Sequence, residues 1–400
     1  MRRLAAAFAY HDFRTLWLGS LTSTIGTWMQ NIAQNWLILS MTGSAFYLGL
    51  DAFLQQLPIM LFTLIGGVIA DRRDRRLMLM TSQYIQMASA LTLAALVFFN
   101  VVQVWHVLTL SFITGLAQSF GGPANQALLP SLVEKQDLPN AVALNSIQFN
   151  LARIIGPLLA GIAMAAYGMV FCFTVNGFSF LVVILALMLL HVKHVPPKAP
   201  QRMVDGLRDG FHYVKHRSGL IAITVIASAT TFLGYPLMTF LPIFAQKIFH
   251  EAVGGYSVMM AFSGAGAVGG ALLVAWMGKY RGMGLTVLSV QALFGVLIVA
   301  FALSPSVWLS YAVLFCTGAS MMVIFSTANS LVQLIVPNEI RGRVMSIYLF
   351  AFRGAMPIGS LIAGYIASRT SAPFILAING VLLTLVAAYF LARDHGIKAL

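Results

Sequence analysis

Long apolar runs separated by short polar turns dominate the chain. They fall near residues 15–40, 45–70, 77–101, 104–130, 142–167, 169–191, 219–246, 254–277, 284–303, 307–334, 343–367 and 371–392. A helix of roughly 20 residues crosses a hydrocarbon core about 30 Å thick, so each run is long enough to span a bilayer. Lipid offers no partner to backbone N–H and C=O groups, and a helix satisfies them within the segment. The pattern predicts an all-α integral membrane protein with twelve transmembrane helices.

The longest polar stretch, His191 to Gly219, divides the chain nearly in half and contains a stiff Val195-Pro-Pro-Lys-Ala-Pro200 segment. It predicts a six-helix bundle over 1–195, a cytoplasmic linker over 196–218 and a second six-helix bundle over 219–400. Within the linker Val204, Leu207, Phe211 and Val214 recur at helical spacing among basic residues, which predicts an amphipathic surface helix; a disordered linker is the alternative. A weak internal repeat supports two pseudo-symmetric bundles. Arg153-Ile-Ile-Gly-Pro157 and Arg353-Gly-Ala-Met-Pro357 stand 200 residues apart, each after an Asn (Asn125, Asn329) and a loop proline (Pro130, Pro337).

Composition narrows the class. The chain is 59% hydrophobic and 9% charged, with mean hydropathy +0.87, against about a quarter charged in soluble domains, so a water-soluble enzyme is excluded. The formal charge of +13 is scattered between apolar runs and makes no nucleic-acid face. Twenty of the 24 Lys and Arg residues lie in the N-terminal stretch, the even-numbered loops and the C-terminus, which by the positive-inside rule predicts both termini in the cytoplasm. Met1 to Arg14 reads as an uncleaved cytoplasmic tail. Cys172 and Cys316 both lie in apolar runs and can build neither a disulfide framework nor a thiolate metal site. No metal site or cofactor is expected.

The most specific local motif is Gly67-Val-Ile-Ala-Asp71-Arg72-Arg-Asp-Arg75-Arg76, between the second and third runs. A positive-inside loop explains its arginines but not its Gly-x-x-x-Asp-Arg-x-x-Arg-Arg spacing. This motif resembles the signature loop of the major facilitator superfamily, whose two-halves, twelve-span plan fits almost the whole chain. The resemblance implies the major facilitator fold and a cytoplasmic gate in which Asp71 faces the stretch around Arg341 and Arg343. The second half keeps only Gly278-Lys-Tyr-Arg281, without an acid, so the latch is expected to be asymmetric. Gly156-Pro157-Leu-Leu-Ala-Gly161 is similar to an element of the superfamily's antiporters and drug exporters, with Ala152 in place of its first glycine. It implies a helix bend, for which a purely structural kink is the alternative. Asp12-Phe-Arg14-x-Leu-Trp17, Gly26-Thr-Trp28-Met-Gln30, Leu57-Pro58 and Pro337-Asn-Glu-Ile-Arg341-Gly-Arg343 look like the branch holding enterobactin-type siderophore exporters and macrolide efflux proteins. That branch implies efflux across a bacterial cytoplasmic (inner) membrane by a monomer. The fourth run has no arginine, so the basic residue that many proton-coupled drug antiporters carry there is missing.

Ionisable groups inside a span cost about 2.5–3.5 kcal/mol at its centre, so each needs a role or a partner. Asp51, about six residues into the second run, is the only carboxylate there; it predicts proton coupling, against a wet, permanently charged interfacial group. Arg153 and Arg353 lie near mid-depth and predict a central cavity attracting an anionic or catechol-rich substrate; anchoring carbonyls near the prolines four residues on is the other reading. Gln30, Asn31, Gln34 and Asn35 share a helical face and predict cavity lining, against interhelical hydrogen bonding. The eight histidines lack a His-Glu-x-x-His or serine-nucleophile context, no phosphate-binding Gly-x-x-x-x-Gly-Lys loop exists, and nothing suggests a channel filter. The sequence therefore predicts a secondary transporter, not an enzyme: an exporter of a small amphiphilic molecule, siderophore or drug-like, by alternating access and proton antiport. A major facilitator importer, and behind it a polytopic membrane enzyme, are the alternatives.

Overall fold

The computed structural model describes residues 6–191, 211–338 and 340–393, with the side chain of Asp71 excepted. Among them a helix covers every predicted run and no strand occurs. The helices are α1 (His11–Thr42), α2 (Ala45–Arg72), α3 (Arg75–Phe98), α4 (Val104–Leu128), α5 (Leu138–Tyr167), α6 (Met169–Leu189), α7 (Ser218–Ile248), α8 (Val253–Met277), α9 (Met283–Ala302), α10 (Val307–Ile335), α11 (Arg341–Arg369) and α12 (Ala372–Ala392). Among the described residues nine of them are long and apolar enough to cross a membrane; α1, α3 and α4 are not among the nine. Residues 211–215 are helical, while Val204 and Leu207, the other half of the predicted linker helix, lie outside the described residues.

Local chemistry sets the ends. Gly43 takes φ 60° and closes α1 by donating its N–H to the Leu39 carbonyl, a left-handed conformation that glycine adopts without a Cβ penalty. The Asp74 carboxylate accepts the N–H groups of Arg76 at 2.9 Å and Leu77 at 3.2 Å, starting α3. Ser371 caps α12 by accepting from the Phe374 N–H. Pro242 and a π turn at Phe244–Ile248 distort the end of α7.

The chain packs as two compact units. The first comprises Met1–Gly43, Leu54–Ala199 and Ala252–Val258; the second comprises Ser44–Phe53, Pro200–Glu251 and Met259–Leu400. In the first, α1 packs on α5 and α6, and α3 packs on α4 and α6. In the second, α9 packs on α10 and α12, and α7 packs on α11 and α12. The first turns of α2 and of α8 thus belong to units other than those holding the rest of these helices. In the second unit Gly49 of α2 lies against Ser360 and Gly364 of α11, and in the first unit Ser257 of α8 lies against Gly161 of α5.

The repeat has a definite register. Gly115 is pressed against the Gln55 backbone, and Gly318 against that of Ser263. Gly156 meets Trp28 and Ile25, and Gly359 meets Phe232. Asn176 donates to the Gln30 Oε1 at 2.7 Å, and Asn379 to the Leu233 carbonyl at 3.0 Å. In each case the second residue stands 203 positions after the first. The Arg-x-x-x-Pro match at 200 is therefore nearly one turn out of structural register, about 4.5 Å along the helix. Close helix packing fixes the repeat; the matching prolines do not. In the packing register Asn150, not Arg153, stands where Arg353 does.

A side chain at Gly115 has no room, because an added Cβ would collide with a neighbouring backbone that cannot swing away. Gly115→Ala is expected to destabilise by about 1–3 kcal/mol through overpacking. Gly122→Ala on the same helix faces only the Gln118 amide at 3.9 Å and should be neutral. Thermal unfolding of the two detergent-purified variants checks this: equal midpoints would refute the packing argument.

Candidate functional site

The Arg-rich turn after α2 works first as a set of helix caps. Arg75 donates to the carbonyls of Ala70 at 3.3 Å and Ala127 at 2.9 Å, tying the ends of α2 and α4. Arg76 donates to Leu190 at 3.2 Å and Met188 at 2.8 Å, tying α3 to the end of α6. The last carbonyls of a helix lack intrahelical partners and carry the negative end of its dipole, so guanidinium groups fit there. Arg72 is exposed, and Gly67 has open space beside it. In the second unit Arg341 donates to the Val336 carbonyl at 3.3 Å, an analogous cap at the end of α10, and Arg343 is half-buried at the start of α11. The Asp71 side chain, to which the resemblance assigns the gate, lies outside the described residues.

The N-terminal stretch is fastened to α5 beside this turn. The Ala7 N–H donates to Asn140 at 2.9 Å, Trp17 Nε1 to the Leu144 carbonyl at 3.1 Å and the Tyr10 hydroxyl to Asp137 at 2.8 Å. The bond to the Asp137 carboxylate holds the Tyr10 hydroxyl pKa above its ordinary value. Asp12 accepts the His191 N–H at 3.1 Å, joining the start of α1 to the residue after α6.

Three of the four α1 amides bridge helices. Gln30 accepts from Asn176 on α6, Gln34 donates to Ser111 on α4 at 2.8 Å, and Asn35 donates to the Tyr256 hydroxyl at 3.0 Å. Tyr256 is fully buried and stacks on Trp36, with ring centroids 6.4 Å apart and planes at 16°. Asn31 is half-buried. Asn176, Ser111 and Tyr256 were not singled out from sequence. A polar residue facing a glutamine-bearing helix was the available signal, and it could not name the partner.

Asp51, near the start of α2 in the second unit, is 3% exposed, so it is not a wet interfacial carboxylate. Gly156 and Pro157 are buried in α5, where Gly156 lets Trp28 of α1 come close, and Gly161 admits Ser257.

The arginines sit at a transition in surface exposure. At 100° per residue, Leu151, Leu158 and Ile162 lie roughly opposite Arg153 on α5 and are 40%, 39% and 68% exposed, an apolar stripe suited to lipid. On the Arg153 side, Val142, Ser146 and Phe149 are exposed before it, and Pro157, Ala160 and Met164 are buried after it. The second unit repeats this on α11. Ile358, Ile362 and Tyr365 form the exposed apolar stripe; on the Arg353 side Gly342 is exposed, while Pro357, Ser360 and Gly364 are buried. On α5 the face before Arg153 is exposed and the face beyond it is closed by packing; on α11 the face before Arg353 is partly open, with Ser346 and Leu349 half-buried after exposed Gly342, and is likewise closed beyond it. Arg153 is half-buried and engaged by a neighbouring group; Arg353 is exposed.

The all-helical described residues, with a repeated unit and polar mid-helix faces, fit a transporter of the major facilitator type, and the family and relatives that the chain matches are transporters, not enzymes. The backbone superposes on a bacterial homologue of the human lysosomal transporter Spinster with TM-score 0.76 over 97% of each chain, at 13% identity. The chain belongs to the MFS_3 family of transmembrane secretion effectors, whose pattern it matches over residues 4–395. Among curated relatives it is 27% identical to a staphyloferrin A transporter of Staphylococcus aureus and 22% identical to macrolide efflux protein A of Streptococcus pyogenes, each match covering 94% of both sequences.

Replacing Arg76 with Ala should destabilise the first unit by about 1.5–3 kcal/mol, the range for hydrogen bonds from a charged group. Arg72→Ala, at an exposed residue, should stay within about 0.5 kcal/mol of wild type. Unfolding monitored by tryptophan fluorescence compares the two, and a neutral Arg76→Ala would remove the capping role.

Proposed function

We propose that this protein exports a small amphiphilic molecule, siderophore or drug-like, across the bacterial cytoplasmic membrane by alternating access, driven by proton antiport. The observation that carries the reading is full-length membership of a secretion family together with a helix face accessible to an arginine at mid-helix in each repeated unit. In this reading all twelve helices cross the bilayer as a monomer with both termini in the cytoplasm, no nucleic acid is bound, and the halves 1–195 and 219–400 rock about a central chamber.

Asp71 pairs with Arg341 and Arg343 to hold the cytoplasmic gate shut, while the caps made by Arg75 and Arg76 keep the gate helices rigid. Asp51, buried in α2, carries the coupling proton and exchanges it as the chamber changes sides. Gly156, Pro157 and Gly161 let α5 bend as the chamber changes sides. Arg153, Arg353 and Asn31 face the substrate, and Gln30, Gln34 and Asn35 hold the chamber wall through their helix-bridging bonds.

Proteoliposomes loaded with a panel of amphiphilic dyes and antibiotics, with a pH gradient imposed in either direction, test the reading. Export should follow proton entry, and Asp51→Asn should reduce gradient-driven transport to the level seen without a gradient. A normal gradient response by that variant would place coupling elsewhere, and accumulation in the opposite sense would make the protein an importer. Asp71→Asn should lower turnover while leaving substrate binding within about twofold of wild type; unchanged turnover would remove the gate.

A further inference from the structure

We infer that Arg353 is an anion-recognition residue that makes this transporter select molecules bearing a carboxylate or similar anionic group; this rests on the transport reading above. Arg353 lies twelve positions into α11, about 18 Å from its start. It is exposed, yet it forms no hydrogen bond and no ion pair among the described residues. Its face of α11 is opposite the exposed apolar stripe of Ile358, Ile362 and Tyr365.

Arginine cannot shed its charge and is costly at membrane depth without a counter-charge. Arg75, Arg76 and Arg341 each end on helix carbonyls, as structural arginines do. Arg353 does not, although Pro357 deprives the carbonyl four residues before it of its helical N–H partner. The neighbouring Phe352 carbonyl is taken by the Thr231 hydroxyl at 2.8 Å. Asn150 holds the equivalent position in the first unit and donates to the Ser146 carbonyl, and the nearest charge there, Arg153, is half-buried and engaged by a neighbouring group. A planar guanidinium presents paired donors matched to a carboxylate, and one left open on an accessible face is a binding group for an anion.

Two xanthene dyes of opposite charge separate this inference from general hydrophobic binding. Fluorescence anisotropy with detergent-purified full-length protein at low salt should show carboxyfluorescein binding to wild type and binding about 10- to 100-fold weaker to Arg353→Gln. Rhodamine 6G, the cation, should bind both within twofold. Arg353→Lys, which keeps the charge but loses the paired donors, should bind the dye with an affinity between wild type and Arg353→Gln, and Arg369→Gln, at the far end of the same helix, should leave it unchanged. Added phosphatidylglycerol should not compete; competition would reassign the site to a lipid headgroup and overturn the inference. Equal carboxyfluorescein affinity in Arg353→Gln, or failure of wild type to bind that dye, would also overturn it. Binding needs no gradient, so absent vesicle export with intact Arg353-dependent binding would reject the exporter reading alone.

Discussion

Polar side chains in the interior of this protein gain most by pairing inside the protein, because a bilayer offers them no partner. That constraint organises both units. Gln30 meets Asn176, Gln34 meets Ser111, Ser82 donates to the Ala117 carbonyl, and Asn379 meets the Leu233 carbonyl. Each bond ties two helices at one depth and one rotation. The apolar contacts around them are tolerant by comparison, since leucine packs on leucine about as well as on a lipid tail.

The same constraint divides the arginines into two kinds. Arg75 and Arg76 end on carbonyls that the helices leave open and tie the Arg-rich turn to α4 and α6, whereas Arg72 is exposed. The mid-helix pair sits at the transition from accessible to packed surface on α5 and α11.

Much of this was legible in the residues. Apolar run length located the helices, and the spacing from Gly67 to Arg76 pointed to the superfamily. The roles of single polar residues were less legible. The amides of α1 read equally as cavity lining or interhelical glue, and only coordinates could send Gln30, Gln34 and Asn35 to their partners. Asp51 read as a proton carrier or as a wet interfacial group, and packing leaves it 3% exposed. The repeat was visible but misregistered by three residues, because Arg and Pro identities caught the eye where glycine contacts carry the constraint.

The sequence by itself determined that this is a multi-span helical membrane protein, since hydropathy over about 20 residues is a property of composition along a line. Which face of each helix meets its neighbour, which amide is consumed and which arginine is left open were decided by tertiary structure. Those outcomes depend on rotation of one helix against another, and a hydrogen bond or a collision at a missing Cβ arises only when two distant stretches of chain arrive at the same place.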